Sequence, residues 1–223
     1  MVGVFGARGT GKNAWSVPLL RVEKRLLVWD HKHDPTMEGL GDGFTDLGAF
    51  IRALGAADRG GRGRFQLRYM PDLGGDVQAQ FELFCRVAFM VGNLCMAVDE
   101  LPEVTKASGG GPSWRRCVNV GRLYKGQDGR QRTLTIYGLG QRPGEVDKAF
   151  MNNLDVIHTG RIANGSDARV LADYLAVDYR ALMALPDLHW IERRQGHAQP
   201  VVGVLTFAKN KSRAGRGALG KAP

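Results

Sequence analysis

Gly6-Ala7-Arg8-Gly9-Thr10-Gly11-Lys12-Asn13 follows directly on a short apolar run at residues 1–5, and it decides how the rest of the chain is read. The stretch fits G-x-x-x-x-G-K, a phosphate-binding loop set between a strand and a helix. Its three glycines let the backbone pass through φ/ψ values closed to other residues, so successive N–H groups can face one anion. The helix behind adds its unpaired N–H groups, and Lys12 supplies a mobile ammonium for the outer phosphates. The bland alternative, a glycine-rich turn with a chance lysine, leaves the strand in front and the helical pattern behind unexplained. One residue departs from the pattern. The position after the lysine normally carries a hydroxyl that binds Mg²⁺, and here it is Asn13. An amide oxygen is also a hard ligand, so weakened rather than abolished metal binding is expected.

With 223 residues the chain is long enough for one α/β domain with a full core. Hydrophobic content of 43% and charged content of 24% are those of an ordinary globular protein. The cysteines Cys85, Cys95 and Cys117 have no metal-ligand spacing, and their odd number argues against a disulfide framework, so a reducing compartment is expected. No run approaches the ~20 apolar residues of a membrane span, and no signal peptide is expected ahead of the first strand. The net charge of +9 is unevenly placed. From Asn210 onward Lys211, Arg213, Arg216 and Lys221 stand among Gly, Ala and Ser without an acid. Two readings of that tail stay open, a basic arm along a polyanion and a solubilising extension. The expected division is one globular domain over 1–208 and a basic, flexible tail over 209–223.

Residues 25–29 form a second apolar strand that ends in Asp30-His31-Lys32-His33-Asp34. Open α/β sheets keep their ligands at such strand ends. No further Cys or His completes a metal site with His31 and His33. A short helix is expected over 46–54, a half-buried strand over 64–70, and a well-patterned helix over 76–93 capped by Asp76. Residues 94–98 are apolar and run straight into Asp99-Glu100. A hydrophobic strand capped by two acids, downstream of a phosphate loop, is the second half of a nucleotide-hydrolysing site. Asp99 would hold the metal, and Glu100 would orient and polarise the attacking water.

The stretch 104–132 looks least structured, with three glycines at 109–111 and then six basic residues from Arg115 to Arg132. It suits either a nucleic-acid backbone or open solvent. A strand over 133–139 ends in Gly140-Gln141-Arg142-Pro143, where Gln141 would sit beside the γ-phosphate. Beyond it the pattern predicts a helix over 145–152, a strand over 155–161, a helix from 166 capped by Ser166 or Asp167, and a closing hairpin from 188–192 and 201–207.

Residues 6–12, 94–100, and Gly121-Arg122-Leu123-Tyr124 followed by 133–143 together resemble the HerA/FtsK superfamily of P-loop DNA-pumping ATPases. That superfamily shows a G-R-K-like segment before its fourth strand and a T-Q-R-P-like end to it. The similarity spans residues 1–161, and the small size resembles the genome-packaging ATPases of tailless icosahedral viruses with internal membranes. The implied fold is α/β and RecA-like, a mostly parallel central sheet flanked by helices, here with a C-terminal hairpin. The implied activity is ATP hydrolysis with Mg²⁺, driving double-stranded DNA through a homo-oligomeric ring that usually has six subunits. A capsid vertex or portal protein is the implied docking partner, and the host cytoplasm and the packaging vertex are the implied locations. Carried over by position, Lys12 binds the phosphates, Asp99 and Glu100 form the metal and water pair, and Gln141 is the sensor. An arginine acting in the neighbour's site falls on Arg122, with Arg130 and Arg132 as alternatives. Asn13 and the insertion at 125–130 depart from the superfamily pattern. Two other functions stay in view, a phage assembly or secretion ATPase and an ATP-binding regulatory module that pumps nothing.

Overall fold

Near-continuous apolar runs, such as those of residues 2–5, 26–29 and 94–98, give the chain a sheet buried on both faces. The computed structural model describes residues 1–60 and 63–206. In chain order the elements are β1 (Val2–Phe5), α1 (Lys12–Arg21), β2 (Arg25–Trp29), β3 (Asp42–Phe44), α2 (Leu47–Arg59), β4 (Phe65–Tyr69) and α3 (Val77–Val91). There follow β5 (Leu94–Val98), α4 (Leu101–Val104), α5 (Pro112–Val120), the small hairpin β6 (Tyr124–Lys125) and β7 (Gln131–Arg132), and β8 (Leu134–Gly140). The chain continues with α6 (Lys148–Asn152), β9 (Val156–Thr159), α7 (Gly165–Leu175), α8 (Tyr179–Ala184), β10 (His189–Arg194) and β11 (Val201–Val204). The main sheet has nine strands in the order β11-β10-β9-β1-β8-β5-β2-β4-β3. From β9 to β3 every neighbouring pair is parallel, while β10 runs antiparallel to both β9 and β11.

Each central strand divides its side chains between two cores, as the pleat requires. Phe5, Leu27, Trp29, Met96, Val98 and Ile136 face the larger core, where α2, α3, α5, α6 and α7 lie. Val4, Leu26, Val28, Cys95, Ala97 and Leu139 face a smaller core with Val17 and Leu20 of α1. Helices thus cover both faces, which is how parallel sheets hide their apolar strands. The order matters for function. β8 lies between β1 and β5, so the chain leaves the carboxyl ends of β1, β8 and β5 side by side.

Several expectations are corrected. The stretch 104–132 is not loop throughout: α5 buries Trp114, Cys117 and Val118, and packs against α3. Trp114 is fully buried between Phe81 and Phe150, with ring centroids 5.7 and 5.6 Å away. Its Nε1 donates to Asp147 Oδ2 at 2.8 Å, and Asp147 in turn caps α6. The cap of α7 is Asn164, whose Oδ1 accepts from the Ser166 N–H at 2.8 Å. Neither Ser166 nor Asp167 fills that role, because Asp167 is committed to Arg142 and to the Gly144 N–H. The expected tail at 209–223 lies outside the described residues. The last strand is seen over Val201–Val204, inside the expected 201–207.

Candidate nucleotide-binding site

The loop between β1 and α1 is pinned at both ends. Ala7 N–H donates to Arg161 O at 2.8 Å, and Thr10 Oγ1 donates to Ala7 O at 2.8 Å. Gly6 has φ 146°, and a Cβ there would lie 2.5 Å from Thr10 Oγ1. Gly11 caps α1 in the left-handed region with φ 97°, and a Cβ on it would lie 2.4 Å from Leu205 Cδ1. Both positions therefore require glycine. Lys12 Nζ curls back onto Gly6 O at 2.8 Å and Ala7 O at 3.4 Å, which holds the ammonium across the loop. Burial lowers its pKa, against the opposing pull of Glu100 and Asp99.

Opposite the loop, Asp99 and Glu100 follow β5 directly. Asp99 is buried, and its backbone N–H extends the ladder to Trp29 O at 2.9 Å. Desolvation, followed by the neighbouring charges of Glu100, Asp30 and Asp34, pushes its pKa up to about 7. Such a carboxyl is short of positive charge, the environment a hard cation relieves. Glu100 has left-handed backbone, φ 48° and ψ 53°, and opens the short helix α4. A non-glycine residue in that region costs on the order of 1–3 kcal/mol. Its Oε1 accepts from Gln141 Nε2 at 2.6 Å and forms an ion pair with Lys32 Nζ at 3.1 Å.

Arg8, Gly9, Gly11, Lys12 and Asn13 share one open cleft of about 630 Å³ with Lys32, Asp34, Thr36, Asp99, Glu100 and Gln141. Five singly chosen sequence candidates, Lys12, Asn13, Asp99, Glu100 and Gln141, thus meet in one place, as the order β1-β8-β5 demands. Gly6, Ala7 and Thr10 shape the loop behind them. Hard oxygen donors from Asn13 and Asp99 beside an ammonium fit a divalent cation with a polyphosphate.

The three arginines lie elsewhere. Arg122 is exposed and paired with Asp155, which also binds the Met1 ammonium at the amino end of β1. Arg130 and Arg132 both pair with Asp128 in the β6–β7 hairpin, ahead of β8. All three stand at the amino ends of the parallel strands, the pole opposite the cleft in the same chain. Among the described residues no group of three or more His, Cys, Asp or Glu side chains could hold a metal ion, and His33 Nε2 lies 3.1 Å from Pro71 O. Sequence reasoning missed Lys32, Asp34 and Thr36 as individuals. Their signal was the polar cluster behind β2, the strand end where such sheets place ligands.

This sheet order, glycine loop and pair of acids define the fold of P-loop NTPases, with RecA-like architecture. The chain is similar to several solved and curated proteins. The genome packaging NTPase B204 of Sulfolobus turreted icosahedral virus 2, in complex with AMPPCP, superposes with a TM-score of 0.68 at 14% identity, covering 93% of this chain and 98% of that one. The bacterial conjugative coupling protein TrwB superposes with a TM-score of 0.57 at 12% identity, covering 92% and 84%. In sequence, the chain is 24% identical over 190 residues to Protein P9 of Pseudoalteromonas phage PM2, covering 83% of this chain and 79% of that protein. No protein-family model matches. No helix among the described residues is long and apolar enough to cross a membrane.

Proposed function

We propose that the chain is an ATPase whose hydrolysis drives double-stranded DNA into a preformed viral capsid. The observation that carries this reading is the meeting of Lys12, Asn13, Asp99, Glu100 and Gln141 in one cleft. The likeness to genome-packaging and coupling NTPases supports the DNA-handling part.

In this reading the loop 6–13 wraps the phosphates with backbone N–H groups, and Lys12 shifts from the Gly6 and Ala7 carbonyls to the outer phosphate oxygens. Asn13 and Asp99 would hold Mg²⁺, which would supply charge neutralisation for the polyphosphate. Glu100 takes the hydrogen bond of a water molecule and draws its proton as the water oxygen attacks the γ-phosphorus. The bond to the β-phosphate oxygen breaks and ADP leaves. Gln141 holds the Glu100 carboxylate and links it to β8, so loss of the γ-phosphate reaches the sheet.

Arg122, with Arg130 and Arg132, lies at the pole away from its own cleft. A ring, six subunits in this reading, would carry such an arginine to the neighbouring cleft, where a cation stabilises transition-state charge. The protein would work in the host cytoplasm and at the packaging vertex, docked on a capsid or portal protein.

The test is phosphate release with and without long duplex DNA. Stimulation by duplex is expected in the wild type. Glu100→Gln is expected to lose about a hundredfold or more in turnover, on the general-base scale, while still binding nucleotide. Nucleotide binding without any phosphate release would instead identify a regulatory module, and an undiminished rate in Glu100→Gln would remove Glu100 from its role.

A further inference from the structure

The position where a P-loop normally carries a metal-binding hydroxyl is Asn13, and its side chain is tied to a turn far away in sequence. Asn13 Nδ2 donates to Asp34 Oδ2 at 2.9 Å and to Thr36 Oγ1 at 2.8 Å. Chemistry fixes which end of the amide makes these bonds. A carboxylate only accepts, so the atom facing Asp34 is the NH₂. The Thr36 hydroxyl has one proton, and it goes to Asp34 Oδ1 at 2.7 Å, which leaves its oxygen to accept from Asn13. Both amide protons are thus spent on the turn, and Oδ1 takes no hydrogen bond from the described residues. The turn itself is rigid. Asp34 N–H donates to buried Asp30 at 2.8 Å, and Asp34 Oδ1 accepts the Thr36 N–H at 2.8 Å to start the 3₁₀ turn Pro35–Met37.

We infer that Asp34 and Thr36 are positioning residues that orient Asn13 so its carbonyl oxygen replaces the missing hydroxyl as a magnesium ligand. The inference rests on the nucleotide reading of the cleft. It makes the loop behind β2 a working part of the metal site, where partners behind a ligand commonly change metal affinity ten- to a hundredfold.

The experiment titrates ADP into the full chain with Mg²⁺ and with EDTA, following heat of binding. In the wild type Mg²⁺ is expected to tighten ADP. Thr36→Val should cut that gain by about tenfold and leave the EDTA affinity unchanged, whereas Thr36→Ser should behave as wild type. In an Asn13→Thr background, where a hydroxyl is restored, Thr36→Val should have no effect, which a general loss of loop structure would not mimic. An unchanged Mg²⁺ gain in Thr36→Val overturns the proposal, and so does a loss of equal size in the Asn13→Thr background. ADP binding that ignores Mg²⁺ in the wild type overturns it while sparing the nucleotide reading. No ADP binding at all overturns both.

Discussion

Gln141 Nε2 and Glu100 Oε1 stand 2.6 Å apart, although 41 positions separate them in the chain. The contact exists because β8 is inserted between β1 and β5, so its carboxyl end opens beside both the loop and the acids. With Gln141→Leu the carboxylate loses that donor and keeps Lys32. Turnover should fall by about tenfold, the value of one hydrogen bond to a charged group, with ADP affinity held. Steady-state hydrolysis alongside an ADP titration checks this. Equal losses in both would mark Gln141 as a general structural prop.

Among the described residues, the Lys12 ammonium makes its hydrogen bonds to two loop carbonyls, Gly6 O and Ala7 O. Lys12→Met should therefore leave the melting temperature nearly unchanged. Nucleotide affinity should drop by roughly ten- to a hundredfold, since hydrogen bonds to charged groups contribute about 1.5–3 kcal/mol. Thermal unfolding and nucleotide titration on the same sample separate the two effects. A collapse of stability would contradict the geometry.

Trp114 joins α5 to α6 through one buried hydrogen bond, Nε1 to Asp147 Oδ2 at 2.8 Å. Trp114→Phe keeps most of the ring packing and removes the donor. The unpaired carboxylate oxygen should cost about 1–3 kcal/mol, while Trp114→Ala should cost about 3–5 kcal/mol. Urea unfolding of the two variants gives both numbers, and a Phe variant as stable as wild type would show that Asp147 finds another partner.

His158 is buried and stacked on Trp15, with ring centroids 4.0 Å apart at 17°. Burial lowers its pKa from 6.5 to about 4, although Glu192, with Oε2 3.3 Å from Nδ1, pulls the other way. The sign follows from proton counting. Above pH 6.5 neither state binds the proton, and as pH falls toward 4 only the unfolded chain does, so stability drops with acid. One pKa unit is worth about 1.4 kcal/mol, so the loss between pH 7 and pH 5 should be about 2 kcal/mol. Replacing the group by His158→Asn should flatten that part of the urea-unfolding profile. A slope unchanged by the variant would assign it to other groups.

The site was more legible in the sequence than the packing around it. A loop of fixed glycines, a lysine, and two acids closing an apolar run are local patterns, and each of them stands in the cleft. The α5 helix was hidden because only Trp114, Cys117 and Val118 of its nine residues are buried, and arginines and a glycine run surround them. Its stability comes from contact with α3, which no local pattern records. The cap of α7 was displaced for a similar reason, since Asp167 has a buried task with Arg142 that only the folded chain reveals. Asp34 and Thr36 escaped notice because their importance lies in a bond to Asn13 across more than twenty positions.

Leu205, just past β11, rests on the α-carbon of Gly11 and is tied by its N–H to Leu188 O at 2.9 Å, ahead of β10. The end of the last hairpin therefore packs against the start of α1. A change of side chain at position 205 would thus alter what backs the phosphate loop, although it is made at the far edge of the sheet.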